Sequence, residues 1–342
     1  MNYFFILCLI FCSSCFSVEI PGGSVLAYSV EGTTKVFYLE VSKVNKEIFN
    51  VEKNELSKTL LAYHQSTENT EHLSYESQIA KGFGFNNQIP GPAIVVTEGD
   101  DVRIILENKL DTPTSLQFMG MNLPYDQESI VKPGEKKVYS FKVSQPAGTY
   151  LYESGYQTQI QLGMGLSGLF IVEPKQKETI DHDFGFVLQE WDLSENGDVR
   201  PLSINCNWFT MNGYTAPNIP VLKVSEGSVV RLRFANTSGV SDSPMVLHGF
   251  AFRITGTEGG PVDPISSGNY VAVVVVHPGT TRTVEFLASQ PGLWKLSCSI
   301  PQKTVNNLNR YTNEQNLNAI SVGGLFTYVE VLGKNSSPST IQ

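Results

Sequence analysis

The chain contains an internal repeat. Pro92, Val96, Glu98-Gly99, Val102-Arg103 and Asn108 return as Pro220, Val224, Glu226-Gly227, Val230-Arg231 and Asn236, all at one constant offset. Downstream, Lys132-Pro133-Gly134 answers to His277-Pro278-Gly279, Gly148-Thr149-Tyr150 to Gly292-Leu293-Trp294, and Gly168-Leu169-Phe170 to Gly324-Leu325-Phe326. Self-similarity of this kind means one architecture built twice. We place the copies at 30–175 and 182–333, with the polar stretch 173–181 as linker and 334–342 as a loose tail. Inside each copy the apolar residues alternate. Val102, Ile104 and Leu106 oppose Arg103, Ile105 and Glu107, and Val230, Leu232 and Phe234 oppose Arg231, Arg233 and Ala235. A period of two places one face of a strand on a core. Short Val, Ile, Phe, Tyr and Thr runs bounded by Gly, Pro, Asn and Asp fill most of the remainder. Helical periodicity is weak and confined to 45–63. The expected fold is all-β, two Greek-key β-sandwich domains.

Residues 1–17 carry no charged side chain and hold an apolar run over 3–11, too short to span a bilayer and suited to a secretory signal peptide. Small residues at Cys15 and Ser17 would allow cleavage before Val18, and Cys15 behind Ser13-Ser14 offers lipid attachment as the rival reading. No later segment approaches the ~20 apolar residues of a transmembrane helix. The expected location is therefore outside the cytoplasm, periplasmic or secreted. A net charge of −9, with 24 scattered basic residues, excludes nucleic-acid binding. Without the leader two cysteines remain, Cys206 and Cys298. They form either one bridge or two separate thiols.

Several ordered motifs carry a family resemblance. Phe85-Asn86-Asn87-Gln88-Ile89-Pro90-Gly91-Pro92 followed by Glu98-Gly99-Asp100 resembles the opening strands of multicopper oxidases, the laccase-like proteins built from cupredoxin domains. Gly148-Thr149-Tyr150-Leu151-Tyr152 and 163–174 resemble the end of the same domain. Asn212-Gly213, Pro244-Met245-Val246-Leu247-His248-Gly249 and 292–299 resemble the family's C-terminal copper domain. The resemblance covers about 250 of the 342 residues. It implies that each domain is an eight-stranded cupredoxin-like Greek-key sandwich.

The resemblance also implies where copper would sit. The family holds its coppers with four His-X-His pairs plus a Cys and two further His, since imidazole and thiolate suit copper and alternate positions along a strand share a face. The four pairs fall here on Gln117-Phe118-Met119, Glu153-Ser154-Gly155, Val246-Leu247-His248 and Ser297-Cys298-Ser299. Only His248 among these eight slots is histidine. At the blue-copper position the thiolate survives as Cys298, but the two histidine slots hold Ser243 and Lys303. A full set needs about ten histidines, and the chain has five, His64, His72, His182, His248 and His277.

His248 and Cys298 would serve different coppers, so together they make no site. The simple expectations are a hydrogen-bonded histidine beside Gly249 and a small buried thiol, with Lys303 or Lys295 as the only local cation to activate it. A sharper possibility joins Glu153, Met119 and His248 around one zinc or cuprous ion. Its simple rival is Glu153 paired with a Lys or Arg, with Met121 and Met164 as ordinary packing. Asn236-Thr237-Ser238 and Asn335-Ser336-Ser337 match the glycosylation pattern.

Two functions compete. The leading one is an exported, non-catalytic binding or scaffold protein that has lost its copper centres, needs no cofactor, and meets an unknown protein or small-molecule partner through its loops and edge strands. The Asn-rich stretch 301–322 is either a recruited loop or one left unconstrained by copper loss. The alternative is a residual copper-binding oxidoreductase. A homotrimer is a third, structural expectation.

Overall fold

We describe a computed structural model of the chain over residues 18–50, 77–121, 129–176, 179–263, 269–306 and 323–333. The signal peptide with Cys15, most of the weakly helical window, most of 301–322, Asn335 and the tail lie outside the described residues.

Alternation becomes strand almost everywhere. The first copy is built from β1 (Tyr28–Glu31), β2 (Thr34–Asn50), β3 (Ser77–Phe85), β4 (Ile94–Thr97), β5 (Asp101–Asn108), β6 (Gln117–Met119), β7 (Lys136–Lys142), β8 (Gly148–Glu153) and β9 (Ser167–Glu173), with one helical turn, α1 (Thr158–Gln161). One sheet runs β1-β2-β5-β7 with β3 on β2, and the other runs β4-β9-β8-β6. Their inner faces meet over Phe37, Ile104, Phe118, Tyr152 and Phe170.

The second copy comprises β10 (His182–Trp191), β11 (Trp208–Met211), β12 (Leu222–Ser225), β13 (Val229–Asn236), β14 (Ser243–Leu247), β15 (Phe252–Thr257), β16 (Gly260–Pro261), β17 (Tyr270–Val271), β18 (Val274–Val276), β19 (Thr281–Leu287), β20 (Gly292–Cys298) and β21 (Phe326–Leu332). Its sheets run β11-β10-β13-β19-β15-β16, with β17 on β15, and β12-β21-β20-β14-β18. The two-sandwich expectation holds. Strand number exceeds eight per copy among the described residues because short ladders such as β16 and β17 add to the main ones. The repeat is visible in the strands themselves, since β12 and β13 carry the bounds of β4 and β5 shifted by the offset of the sequence repeat. The parallel pairs β2–β5 and β4–β9 return as β10–β13 and β12–β21.

Asn108 and Asn236 explain one of the repeated positions. Each is wholly buried at the end of a central strand. Asn108 Nδ2 donates to the carbonyls of Thr112 and Val131, and its Oδ1 accepts from Leu110 N. Asn236 Nδ2 donates to the carbonyls of Ser241 and Val276, and its Oδ1 accepts from Ser238 N. Each Asn backbone carbonyl also accepts from the turn glycine of the Lys132-Pro133-Gly134 or His277-Pro278-Gly279 element, at 2.8 Å in both copies. One residue thus pins the strand exit to the turn that starts the next strand. The same burial keeps Asn236 out of reach of a glycosylating enzyme in the folded chain.

The two copies are fused by shared cores. Residues 45–50, which the sequence reads as weakly helical, are strand. The second half of β2 pairs with β3 and carries Val44, Ile48 and Phe49 onto Trp191, Leu193 and Trp208 of the second copy. A further cluster joins Val18, Leu151, Leu169 and Ile171 to Val187 and Ala235. The outer face of β13 is consequently not solvated as the alternation suggests. Arg233 is 3% exposed, forks onto both Asp183 carboxylate oxygens at 2.7 Å and donates to Thr149 Oγ1 on β8 at 2.9 Å. Arg231 and Arg253 share Glu285.

Replacing Asn236 by Ala removes two buried donors and an acceptor and leaves their partners unsatisfied. The expected loss is about 2–4 kcal/mol, read by urea unfolding. A loss within error of zero would contradict the pin.

Candidate metal centre

In the first copy the paired slots lie on β6 and at the end of β8. These strands are antiparallel with Gln117 opposite Glu153 and Met119 opposite Leu151. Phe118 turns into the core, so Gln117 and Met119 share the other face. Gln117 Nε2 donates to Glu153 Oε1 at 2.8 Å. Glu153 is buried, and burial raises its pKa while the Gln117 bond draws it back part of the way. Among the described residues no hydrogen bond joins this carboxyl to the Lys or Arg expected as its partner; the neutral amide of Gln117 takes that role. Met119 is exposed, at 40%, and Met121 packs in the core.

In the second copy the slots lie on β14 and β20. Met245 faces Cys298 and Val246 faces Ser297 across the ladder. His248 stands exposed just past β14, with Nε2 3.3 Å from Ser297 Oγ. Gly249 follows it with φ +89, and a Cβ there would lie 2.3 Å from the Trp294 ring, so the chain can turn under that ring only as glycine. Cys298 is buried in the core, which pushes its thiol pKa up. Cys206 is half-buried, and burial with the nearby carboxylates of Glu190 and Asp192 pushes its thiol up to about 12. The two are separate thiols, not a bridge. Neither has the depressed pKa of a reactive cysteine.

The blue-copper slots hold a different chemistry. Lys303 sits in the helical turn Pro301–Thr304, 3% exposed. Its ammonium pairs with Glu190 at the end of β10 and donates to Asp242 O and to Ser243 Oγ. Glu190 also accepts from Ser238 Oγ at 2.6 Å and Ser241 Oγ at 2.9 Å. Glu190 is the residue that sequence reasoning misses. It is one carboxylate in a strand far from every motif, and only the fold reveals its partner.

Among the described residues no hydrogen bond or ion pair joins Glu153 or Met119 to His248 or Cys298, and no cluster of three His, Cys, Asp or Glu is placed to hold an ion. A copper cluster needs convergent imidazoles. An amide–carboxyl pair, an exposed thioether, an aliphatic Val246, two serines and one imidazole do not fit that set. Among the described residues, clefts open both away from these slots and beside Glu190. One of about 260 Å³ between the copies is lined by Arg231, Arg233 and Arg253. The other, of about 220 Å³, runs over Glu190, Trp191, Arg200 and Cys206.

Two outcomes follow from these bonds. The folded-state pKa of Glu153 lies above its value in the unfolded chain, so the folded state holds an extra proton between the two values, and stability falls as pH rises through that window. Glu153→Gln abolishes the titration and keeps an acceptor for Gln117. Thermal unfolding should show the variant gaining on the wild type between acidic and neutral pH, and a parallel pair of pH profiles would contradict this. Lys303→Met strands the Glu190 charge and should cost about 3–5 kcal/mol. Glu190→Gln together with Lys303→Met should cost less than Lys303→Met alone, measured by denaturant unfolding.

Comparison with known proteins agrees with the strand order and motifs. Multicopper oxidase profiles match residues 67–177 and 192–316. The chain is 24% identical over 340 residues to the multicopper oxidase mco of Staphylococcus epidermidis, covering 92% of this chain and 72% of that protein. It is 27% identical over 252 residues to Laccase-20 of Oryza sativa subsp. japonica, covering 65% of this chain and 42% of the laccase, so it spans less than half of that relative. Among solved structures, the blue copper oxidase of Nitrosomonas europaea shares the fold with a TM-score of 0.67 at 23% identity, covering 87% of this chain and 86% of that one. No helix among the described residues is long and apolar enough to cross a membrane. With both halves matched in order and the two sandwiches in place, this chain belongs to the multicopper oxidase family.

Proposed function

We propose that the chain is an exported member of this family that has given up its copper centres and works as a non-catalytic binding or scaffold protein. The observation that carries this reading is the state of the paired slots. Their strand positions persist, but Gln117 and Glu153 bond to each other and His248 rests on Ser297. These side chains are engaged pairwise across their own ladders rather than converging on a common point where an ion could be held. A protein of this kind offers a partner its loops, its edge strands and the two clefts.

A second reading has its own support. The relatives are named oxidases and laccases, and Cys298 and His248 remain at ligand slots. On that reading the chain is a copper-binding oxidoreductase with an altered ligand set.

Elemental analysis of the purified chain after copper loading and exhaustive dialysis separates the two, with oxygen consumption on phenolic and cuprous substrates as a second readout. The scaffold reading expects only traces of copper and no oxygen uptake above buffer. A stoichiometric, dialysis-resistant copper with oxygen uptake establishes the second reading instead.

A further inference from the structure

The blue-copper position is not merely short of ligands; its side chains hold a cation of their own. The two slots that resemble histidine ligands, Ser243 and Lys303, come from different elements, the start of β14 and the turn after β20. Their side chains nevertheless meet, with Nζ 3.2 Å from Ser243 Oγ. Both residues are buried, and the Glu190 side chain is 3% exposed. The ammonium has three N–H donors, and three acceptors surround it at bonding distance: Glu190 Oε1, Asp242 O and Ser243 Oγ, with Ser241 O at 3.4 Å on the margin. Glu190 is satisfied in turn by Ser238 and Ser241. Cys298, the remaining slot, is tied to the same turn, since its N–H and the Lys303 carbonyl are both bonded to Leu325 of the following segment.

We infer that the Lys303 ammonium stands where the family's blue copper would stand and bars the ion from Cys298. It supplies the positive charge that binds β14, the turn over 301–304 and the end of β10 together, and Glu190 is its counter-ion. An ammonium carries no lone pair, so it fills the ligand slot without offering a donor to the ion, and the thiolate needed to bind copper would have to form in a buried pocket. The inference rests on the copper-free reading of this one site and adds the residue that enforces it.

Three exchanges should convert the site. Ser243→His and Lys303→His restore two imidazoles, and Glu190→Gln removes the carboxylate that would otherwise be left unpaired. The triple variant, titrated with copper alone, is expected to gain one bound copper per chain and an intense blue thiolate-to-copper absorption band. Adding Cys298→Ser should abolish the band. Lys303→His alone, with Glu190 and Ser243 intact, is the milder second variant and should show the same Cys298-dependent band at higher copper concentration. Circular dichroism follows folding of each variant. The inference is overturned by folded variants that show no such band, by variants that stay unfolded and are not rescued by copper, or by a Cys298-dependent band in the wild type with Lys303 in place. Copper held by the wild type without that band, and insensitive to Cys298→Ser, would defeat the scaffold reading while leaving the role of Lys303 standing.

Discussion

A side chain on a β-strand can point in only two directions, and in a sandwich one of them is the core. That constraint governs everything else in this chain. Phe118 must turn inward for the first sandwich to close, so Gln117 and Met119 are left together on the other face. Met245 and Cys298 turn inward in the second, so Val246 and Ser297 are left together there. The geometry that would align paired ligands therefore survives any exchange of the side chains themselves. Position is held by packing, whereas chemistry is held only by the identity of residues that packing does not need.

Charge follows the same logic. Between the copies, Arg233 replaces solvent with Asp183 and Thr149, and Arg231 and Arg253 converge on Glu285. Burial pushes the Glu285 carboxyl up, but the two guanidinium bonds outweigh it and hold its pKa below the usual range. At the end of β10 Lys303 and Glu190 neutralise each other, and serine hydroxyls and a backbone carbonyl complete their hydrogen bonds. A buried pair of this kind gains little over apolar packing but is costly to break on one side only, which makes it hard to lose once formed.

The fold was largely legible in the sequence because alternation and turn residues are local. Val102, Ile104 and Leu106 face the core as their spacing requires, and the turns at Gly134 and Gly279 precede strands in both copies. Legibility stopped where a residue's neighbour is distant along the chain. Arg231 and Arg233 alternate with the core residues of β13 and are nonetheless buried, Arg233 against Thr149 of the first copy and Arg231 against Glu285. Residues 45–50 read as weakly helical and are strand, because β3 pairs with them. At the site, the motif positions identified Ser243 and Lys303 but not what they do. Glu190 and Lys303 are far apart in the second copy's sequence, and no spacing rule connects a lone carboxylate to a lone lysine.

Either the Lys303 ammonium or a copper ion stands beside Cys298. The most direct measurement is a crystal structure of the copper-soaked wild-type protein with anomalous scattering recorded at the copper edge. The expected result is no anomalous peak at the Cys298 sulfur, with Lys303 Nζ still bonded to Glu190 and Ser243. An anomalous peak at bonding distance from that sulfur, with the lysine displaced, would contradict it.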